Sequence, residues 1–470
     1  MEHAKDMKKS NDTIFFERNI YNNLKTWAKQ TSNYALYLEG PRQVGKTSIL
    51  TKLGAEHFDQ YVYINIRGSQ ATAHFENIVN KHLAEYGHGQ QESDYGPMWE
   101  SIFKTYNPAY TNAPQTLVII DEVQESQLAY NAIRQIRRSL DSKLAISGSY
   151  LGVISQHRGY NISAGDIRYV ELSSLTFIEF LKANGIWDAY DPIQTFDISK
   201  MSAAEKEICE TVRALYAVYC KIGGYPDVVR EWVASKDIDA CKEIVAQLLR
   251  SFYDESSRYF EEVVGRTLWA RTLEKVATHM VTKSGDLDKT IAKESFRDEN
   301  AQGLEVRRKD KINALKWLDD CRIIGTVPVY DALERVASIS NQSMFFFRDM
   351  GLMTQLCENS ALVLPSDLDG MQAENFVYLH LLDNPDQLFM NTGVHSFNSP
   401  WGQIDFVMHS IDRKRYGIEV KHGSGNTKTG DKALADGKID ALIRIQNTYG
   451  SINGNLITVP IFMLDKLRLA

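Results

Sequence analysis

The 470-residue sequence predicts an α/β protein in three parts: a parallel sheet with flanking helices, a helical segment, and a second, mixed α/β domain. Three observations carry this. Up to about residue 180, short β-branched or aromatic runs alternate with helical stretches, as in a sheet with crossover helices. From Thr176 the texture turns to long helical periodicity, and toward the C-terminus strands and helices alternate again. The expected boundaries are 1–185, 186–335 and 336–470, within the prior of about 100–200 residues per domain.

The first expected strand is YALYLEG, Tyr34 to Gly40, followed by the helical TSILTKLG. YVYINI (Tyr61 to Ile66) is the second and TLVIID (Thr116 to Asp121) the third. The unbroken apolar character of TLVII predicts a strand covered on both faces. LAYNAIRQIRRSL reads as a helix, LAISGS (Leu144 to Ser149) as the fourth strand and YVELSSL (Tyr169 to Leu175) as the fifth.

Two long helical stretches follow, FIEFLKANG and AAEKEICETVRALYAVYCKI, the second ended by Gly223, Gly224 and Pro226. Helical pattern continues from Asp237 to about Leu333. A helix carrying Ile312, Leu315 and Leu318 on one face, then Gly325 and an alternating strand, suits a winged helix. Its Arg307, Arg308, Lys309 and Lys311 would serve equally as a DNA contact or as a solvated face. In the last part ENFVYLHLL reads as a helix, IDFVMHS and YGIEVKH as paired strands, and ALADGKIDALIRIQ as a helix. ITVPIFMLDKL ends in a last strand and a short helix.

Composition excludes several classes. With 43% hydrophobic and 24% charged residues the chain is neither collagen-like nor disordered. No apolar run approaches the ~18 residues of a membrane span, and MEHAKDMKKSNDT has no apolar signal core. Five cysteines without a C-x-x-C pair argue against a disulfide framework or zinc site; buried thiols in a reducing cytoplasm are expected. A net charge of −7 argues against a chain-wide nucleic-acid coat but leaves room for a local basic groove.

The strongest motif is G-P-R-Q-V-G-K-T, Gly40 to Thr47, between an expected strand and helix. Gly40 and Gly45 permit backbone angles that turn successive N–H groups inward at a helix N-terminus, a nest for phosphate. Lys46 supplies a cation for the β- and γ-phosphates, and the Thr47 hydroxyl joins a Mg²⁺ shell. The expected ATP-contacting set is Gly40, Pro41, Arg42, Gln43, Val44, Gly45, Lys46, Thr47 and Ser48.

Such a site needs a carboxylate at the tip of a neighbouring buried strand. Leu117 to Glu122 supplies it: Asp121 as the Mg²⁺ partner, Glu122 to polarise the attacking water. Alone, an apolar run ending in Asp-Glu is also what any strand looks like on meeting its loop; the upstream glycine loop selects the catalytic reading. In A-I-S-G-S, Ser147 or Ser149 is the candidate contact for the γ-phosphate or its water. Arg137 and Arg138 read either as charge-stabilising fingers for a partner subunit or as a basic helix end in solvent.

With these pieces in order the chain resembles the predicted AAA+ superfamily ATPases of bacteria and archaea that carry a C-terminal domain of unknown function. The likeness rests on Arg18 in FFERNI, G-P-R-Q-V-G-K-T, I-I-D-E-V-Q (Ile119 to Gln124), I-S-G-S, and the run from Val170 to Leu181. Gly223 to Pro226, Phe347 to Leu352, Ala373 to Val377, I-D-F-V and I-E-V-K extend it. The chain departs from that pattern at Gly165-Asp166, where Gly-Arg is usual, at Ser174-Leu175 for Pro-Leu, and at Arg67 for an acid. Arg168 is then the one nearby candidate for an arginine sensor. AAA-type sites are often completed by a neighbouring copy, so the resemblance implies a homo-oligomer.

Near the end, Asp405, then Glu419-Val420-Lys421, with Glu374 upstream on a helix, form the PD-(D/E)XK arrangement. Period-2 alternation sends Glu419 and Lys421 to one strand face. With Glu374 the two carboxylates would hold Mg²⁺ at a scissile phosphate, and Lys421 would polarise the water. A charged hairpin edge has the same appearance, but the resemblance implies a restriction-endonuclease-like fold here. From Asp412 to Ala470 ten Lys/Arg face six acids, which is either a phosphate-tracking surface or ordinary soluble loops. Two functions are consistent with the motifs. One is a Mg²⁺-dependent ATPase coupled to a nuclease-like domain that binds DNA or RNA. The other is a nucleotide-dependent adaptor whose C-terminal domain recognises a protein.

Overall fold

Why the phosphate loop can sit where the sequence predicts follows from the order of five strands. They are β1 (Ala35–Glu39), β2 (Gln60–Asn65), β3 (Thr116–Asp121), β4 (Lys143–Gly148) and β5 (Ile167–Glu171). All pair in parallel, in the order β2-β3-β4-β1-β5. The structure is a computed structural model and describes residues 15–31, 34–87, 92–149, 165–259, 272–277, 280, 308–331, 336–338, 344–360, 363–383, 393–399, 402–421, 428–447 and 450–468.

The chain divides into two compact units, Arg18–Ser173 with Asp320–Arg322, and Met1–Glu17 with Ser174–Asp319 and Ile323–Ala470. In the first, all six β3 residues are buried, as their unbroken apolar run requires. The sheet is joined by α1 (Tyr21–Lys29), α2 (Lys46–His57), α3 (Ser69–Tyr86), α4 (Gly96–Tyr106) and α5 (Gln127–Ser139). Val62, Ile64, Val118, Ile120 and Ile146 pack with Phe75, Trp99, Phe103 and Ile133 in one core. Each such aliphatic side chain stabilises the fold by about 1.5–3 kcal/mol relative to its exposed state. Ser126 caps α5 by accepting from the Ala129 N–H at 3.2 Å.

The second unit begins with α6 (Phe177–Ala183), capped by the Thr176–Glu179 box, and the short α7 (Trp187–Tyr190). Then come α8 (Ala203–Ile222), α9 (Pro226–Ser235) and α10 (Ile238–Tyr259). Gly223, at φ 74°, ends α8, as the sequence predicts, and Pro226 opens α9. After α11 (Arg308–Asp320), β6 (Ile324–Val327) pairs antiparallel with β9 (Met344–Phe347). Arg307 lies outside the described residues, as do the side chains of Arg308, Lys309, Lys311 and Ile312.

The remaining strands form an eight-stranded mixed sheet. Its members are β7 (Val329–Asp331), β8 (Val336–Ser338), β10 (His395–Ser399), β11 (Gly402–His409), β12 (Arg415–Lys421), β13 (Ala441–Gln446), β14 (Ser451–Asn453) and β15 (Leu456–Pro460). The expected pair β11–β12 is antiparallel, while β12–β13 and β13–β15 are parallel. Helices α12 (Met350–Glu358), α13 (Pro365–Asp383) and α14 (Lys428–Ala435) accompany it.

One expectation is corrected. The stretch ALADGKIDALIRIQ is not one helix: α14 ends at Ala435, Gly437 turns at φ 66°, and residues 441–446 are a strand. Leu442, Ile443 and Ile445 are wholly buried. A strand buried on both faces is apolar throughout, and periodicity alone does not separate it from a buried helix.

Candidate functional site

The turn from β1 into α2 is built on positive backbone angles: Gly40 φ 149°, Gln43 φ 63° and Gly45 φ 97°. At Gly40 no side chain fits, since a Cβ would lie 2.0 Å from the Leu172 carbonyl oxygen. Leu172 is held there because its N–H donates to the Glu39 carbonyl at 2.8 Å. Arg18, itself buried, donates to Val44 O at 3.0 Å and to Ser173 O at 2.7 Å, fastening the loop to the chain after β5.

Lys46 opens α2 and curls back over this loop. Its ammonium donates to the Gly40 and Pro41 carbonyls at 2.8 Å each and to Ser149 Oγ at 3.1 Å. Thr47 Oγ1 donates to Asp121 Oδ2 at 2.6 Å, so loop and carboxylate strand meet. Pro41, Arg42, Gln43 and Val44 complete the turn, and Ser48 lies in the first turn of α2.

Sheet register explains the convergence. Leu38 pairs with Ser147 and Ile120 with Ile146, so Asp121, Ser147 and the loop share one C-terminal edge of the sheet. Ser147 Oγ donates to Asp121 Oδ1, and Ser149 Oγ lies 3.5 Å from Glu122 Oε2. Both serines therefore belong to the site, each on a different carboxylate. Asp121 also accepts from Tyr63 OH at 2.9 Å and from the Glu122 N–H at 3.1 Å. Burial first, then the Asp121 charge, pushes the Tyr63 phenol well above its ordinary range, which keeps it a donor. The donor chemistry suits Mg²⁺: a buried carboxylate and a hydroxyl in contact, both hard oxygen ligands.

Two residues escaped the sequence reading. Tyr63 gave no signal because its phenol reaches Asp121 from a neighbouring strand. Gln124 stood inside I-I-D-E-V-Q without a role, and its amide donates to Glu122 Oε2. Arg137, half-buried, and Arg138, exposed, both bind the buried Asp166, at 3.0 Å each. Asp166 thus draws arginines at the place where the resembled family carries one. Arg168 is exposed and donates to Gln30 at 3.2 Å; it pairs with Leu36, several residues before the loop.

In the second unit, Phe406 pairs with Ile418, and continuing that antiparallel register sets Asp405 opposite Glu419. Asp405 Oδ2 accepts from the Val420 N–H at 2.9 Å, and Glu419 Oε1 accepts from the Gly430 N–H at 2.7 Å. Glu419 Oε2 is buried without a hydrogen-bond partner. Burial first, and then the Asp405 charge, raises the Glu419 carboxyl, while the Lys421 ammonium opposes the rise. Lys421 also lines a cleft of about 460 Å³ together with Arg213, Tyr216, Lys221, Asp369 and Gln372. Glu374 is half-buried on α13. Among the described residues no three His, Cys, Asp or Glu side chains, Glu374 included, gather into a group that could hold a metal ion.

The first unit's parallel sheet, glycine-rich turn and paired carboxylates define a P-loop domain. Comparison with protein families agrees: residues 32–181 match an AAA domain. Residues 213–363 match a domain of unknown function, DUF8612. No curated protein matches the chain. Among solved structures, Drosophila ORC bound to DNA is 14% identical, with 66% of this chain and 86% of that one covered and a TM-score of 0.27. The Aeropyrum pernix ORC1 protein in complex with DNA is 13% identical over 74% and 94% of the two chains, TM-score 0.28. CDC6P from Pyrobaculum aerophilum is 12% identical over 66% and 85%, TM-score 0.23. Similarity at these TM-scores carries no conclusion about this chain. Among the described residues no helix is long and apolar enough to cross a membrane.

Proposed function

We propose that the chain is a Mg²⁺-dependent ATPase coupled to a nuclease-like, nucleic-acid-binding C-terminal domain, arranged as 1–185, 186–335 and 336–470. The observation that carries the ATPase reading is the 2.6 Å contact of Thr47 with Asp121 beneath a loop capped by Lys46. Backbone N–H groups from Gly40 to Ser48 would bind the phosphates, and Lys46 would exchange its loop carbonyls for β- and γ-oxygens. Thr47 and Asp121 would hold Mg²⁺, which supplies charge neutralisation on the triphosphate. Glu122 would accept a proton from the attacking water as its oxygen bonds to the γ-phosphorus. The bond to the β–γ bridging oxygen then breaks, its electron pair leaving with ADP. Ser147 and Ser149 would hold the two carboxylates in register.

Measuring binding of a fluorescent ATP analogue and phosphate release tests this. Lys46→Ala should abolish both; turnover that survives the substitution unchanged overturns the reading. We further propose a homo-oligomer in the cytoplasm, checked by sedimentation with and without a non-hydrolysable ATP analogue. Five buried cysteines that are thiols rather than disulfides support a reducing setting.

For the C-terminal domain, Asp405, Glu419 and Lys421 on one sheet face, beside helix α13 with Glu374, support a PD-(D/E)XK-like platform for DNA or RNA. A second reading, an adaptor that binds a protein and does not cut, is favoured by one observation: both carboxylates already accept backbone N–H bonds. Incubation with Mg²⁺ or Mn²⁺ and labelled duplex or single strands separates them. Cleavage lost in Lys421→Ala supports the nuclease; no binding at low salt supports the adaptor.

A further inference from the structure

Gln124 sits in a three-residue 3-10 turn, Val123–Glu125, directly after Glu122. Glu122 itself adopts the left-handed conformation, φ 58° and ψ 43°, which non-glycine residues enter only at a cost of about 1 kcal/mol or more. That bend brings the side chains of residues 122 and 124 to the same side, where the Gln124 amide donates to Glu122 Oε2. The surroundings fit the glutamine closely. A Cβ at Gly148 would lie 2.4 Å from Gln124 Oε1 and 2.6 Å from the Tyr37 hydroxyl, so only glycine leaves the slot open. Tyr37 is wholly buried, edge-on to Tyr169 at 5.5 Å, and walls this slot.

We infer that Gln124 is a positioning residue for ATP hydrolysis, fixing Glu122 Oε2 so that Oε1 is the oxygen presented to the attacking water. Oε2 receives both Gln124 and Ser149, whereas Oε1 has no hydrogen bond among the described residues. The two ties differ in kind. Ser149 also binds the Lys46 ammonium, so its hold on Glu122 changes when Lys46 moves to a nucleotide. Gln124 donates to the same oxygen from the turn that follows Glu122, and holds the base through that exchange. A base displaced by a fraction of an ångström loses alignment with the water, and rate falls without loss of substrate affinity.

This inference rests on the ATPase reading, and the test separates the two. Gln124→Ala and the near-isosteric Gln124→Glu are made in the full chain. Affinity for the fluorescent ATP analogue, kcat, KM and melting temperature are measured with Mg²⁺. Both variants should bind the analogue within about two-fold of wild type, keep KM, and lose about ten-fold or more in kcat. Unchanged kcat in both variants, with the wild type turning over ATP, overturns the role of Gln124 alone. Affinity falling in step with kcat overturns it as well, since that marks a merely structural residue. A wild-type chain that hydrolyses no ATP overturns both the reading and the inference.

Discussion

Asp121 accepts four hydrogen bonds, from Thr47, Tyr63, Ser147 and the Glu122 N–H, and each donor comes from a different place in the sequence. A buried carboxylate so supplied stays fixed, which suits a metal partner better than a base. Glu122 has fewer ties and more exposure, which suits the proton acceptor. Glu122→Gln should therefore retain nucleotide affinity while turnover drops ~10²–10⁴-fold, the usual share of a general base. Steady-state phosphate release beside analogue binding checks it. That Lys46, Thr47, Asp121 and Glu122 come together was legible because the motif spacing marks them. Tyr63 and Gln124 were not, because nothing local marks a phenol that reaches across a sheet or an amide that folds back two residues.

Two elements respond to single changes in different ways. In the phosphate loop, Gly40→Ala drives a Cβ into the Leu172 carbonyl, a clash with backbone that no rotamer relieves. The loop must shift, so the variant should bind the ATP analogue at least ten-fold more weakly and melt at a lower temperature. In α13, burial pulls the His380 imidazole down to about 4 from its ordinary 6.5. Above pH 6.5 it is neutral in both folded and unfolded chains and adds no pH dependence. As pH falls from 6.5 toward 4 the unfolded chain takes up the proton first, so stability is lost over that window. His380→Gln should flatten the decline, read from melting temperatures between pH 7 and 4.5. The helix-for-strand error at residues 441–446 belongs to this scale too. Its apolar run was visible, but only pairing with β12 and β15 made it a strand.

Across the whole molecule, net charge is −7, and at least four of the ten cations from residue 412 on are already paired with acids. Arg415 pairs with Asp440, Arg444 with Asp431, Lys414 with Asp412 and Lys466 with Asp465. That leaves at most six cations for phosphate contacts. If this surface binds single strands, the slope of log K against log salt should be about −4 or shallower, at about 0.7 per phosphate contact. A salt titration by fluorescence anisotropy measures it; a much steeper slope would mean a larger basic surface than these residues provide.

What the sequence alone determined is the parallel α/β sheet, the order of its strands along the chain, and the residues of the phosphate loop and its carboxylates. Local spacing suffices there, because a glycine turn between strand and helix and an acid at a strand tip are recognisable without neighbours. Tertiary structure alone decided which strand lies beside which, that both serines reach carboxylates, that Arg137 and Arg138 turn to Asp166, and that Gln124 grips Glu122. Those relations depend on sheet register and on side chains crossing between strands, and separation along the chain carries no record of either.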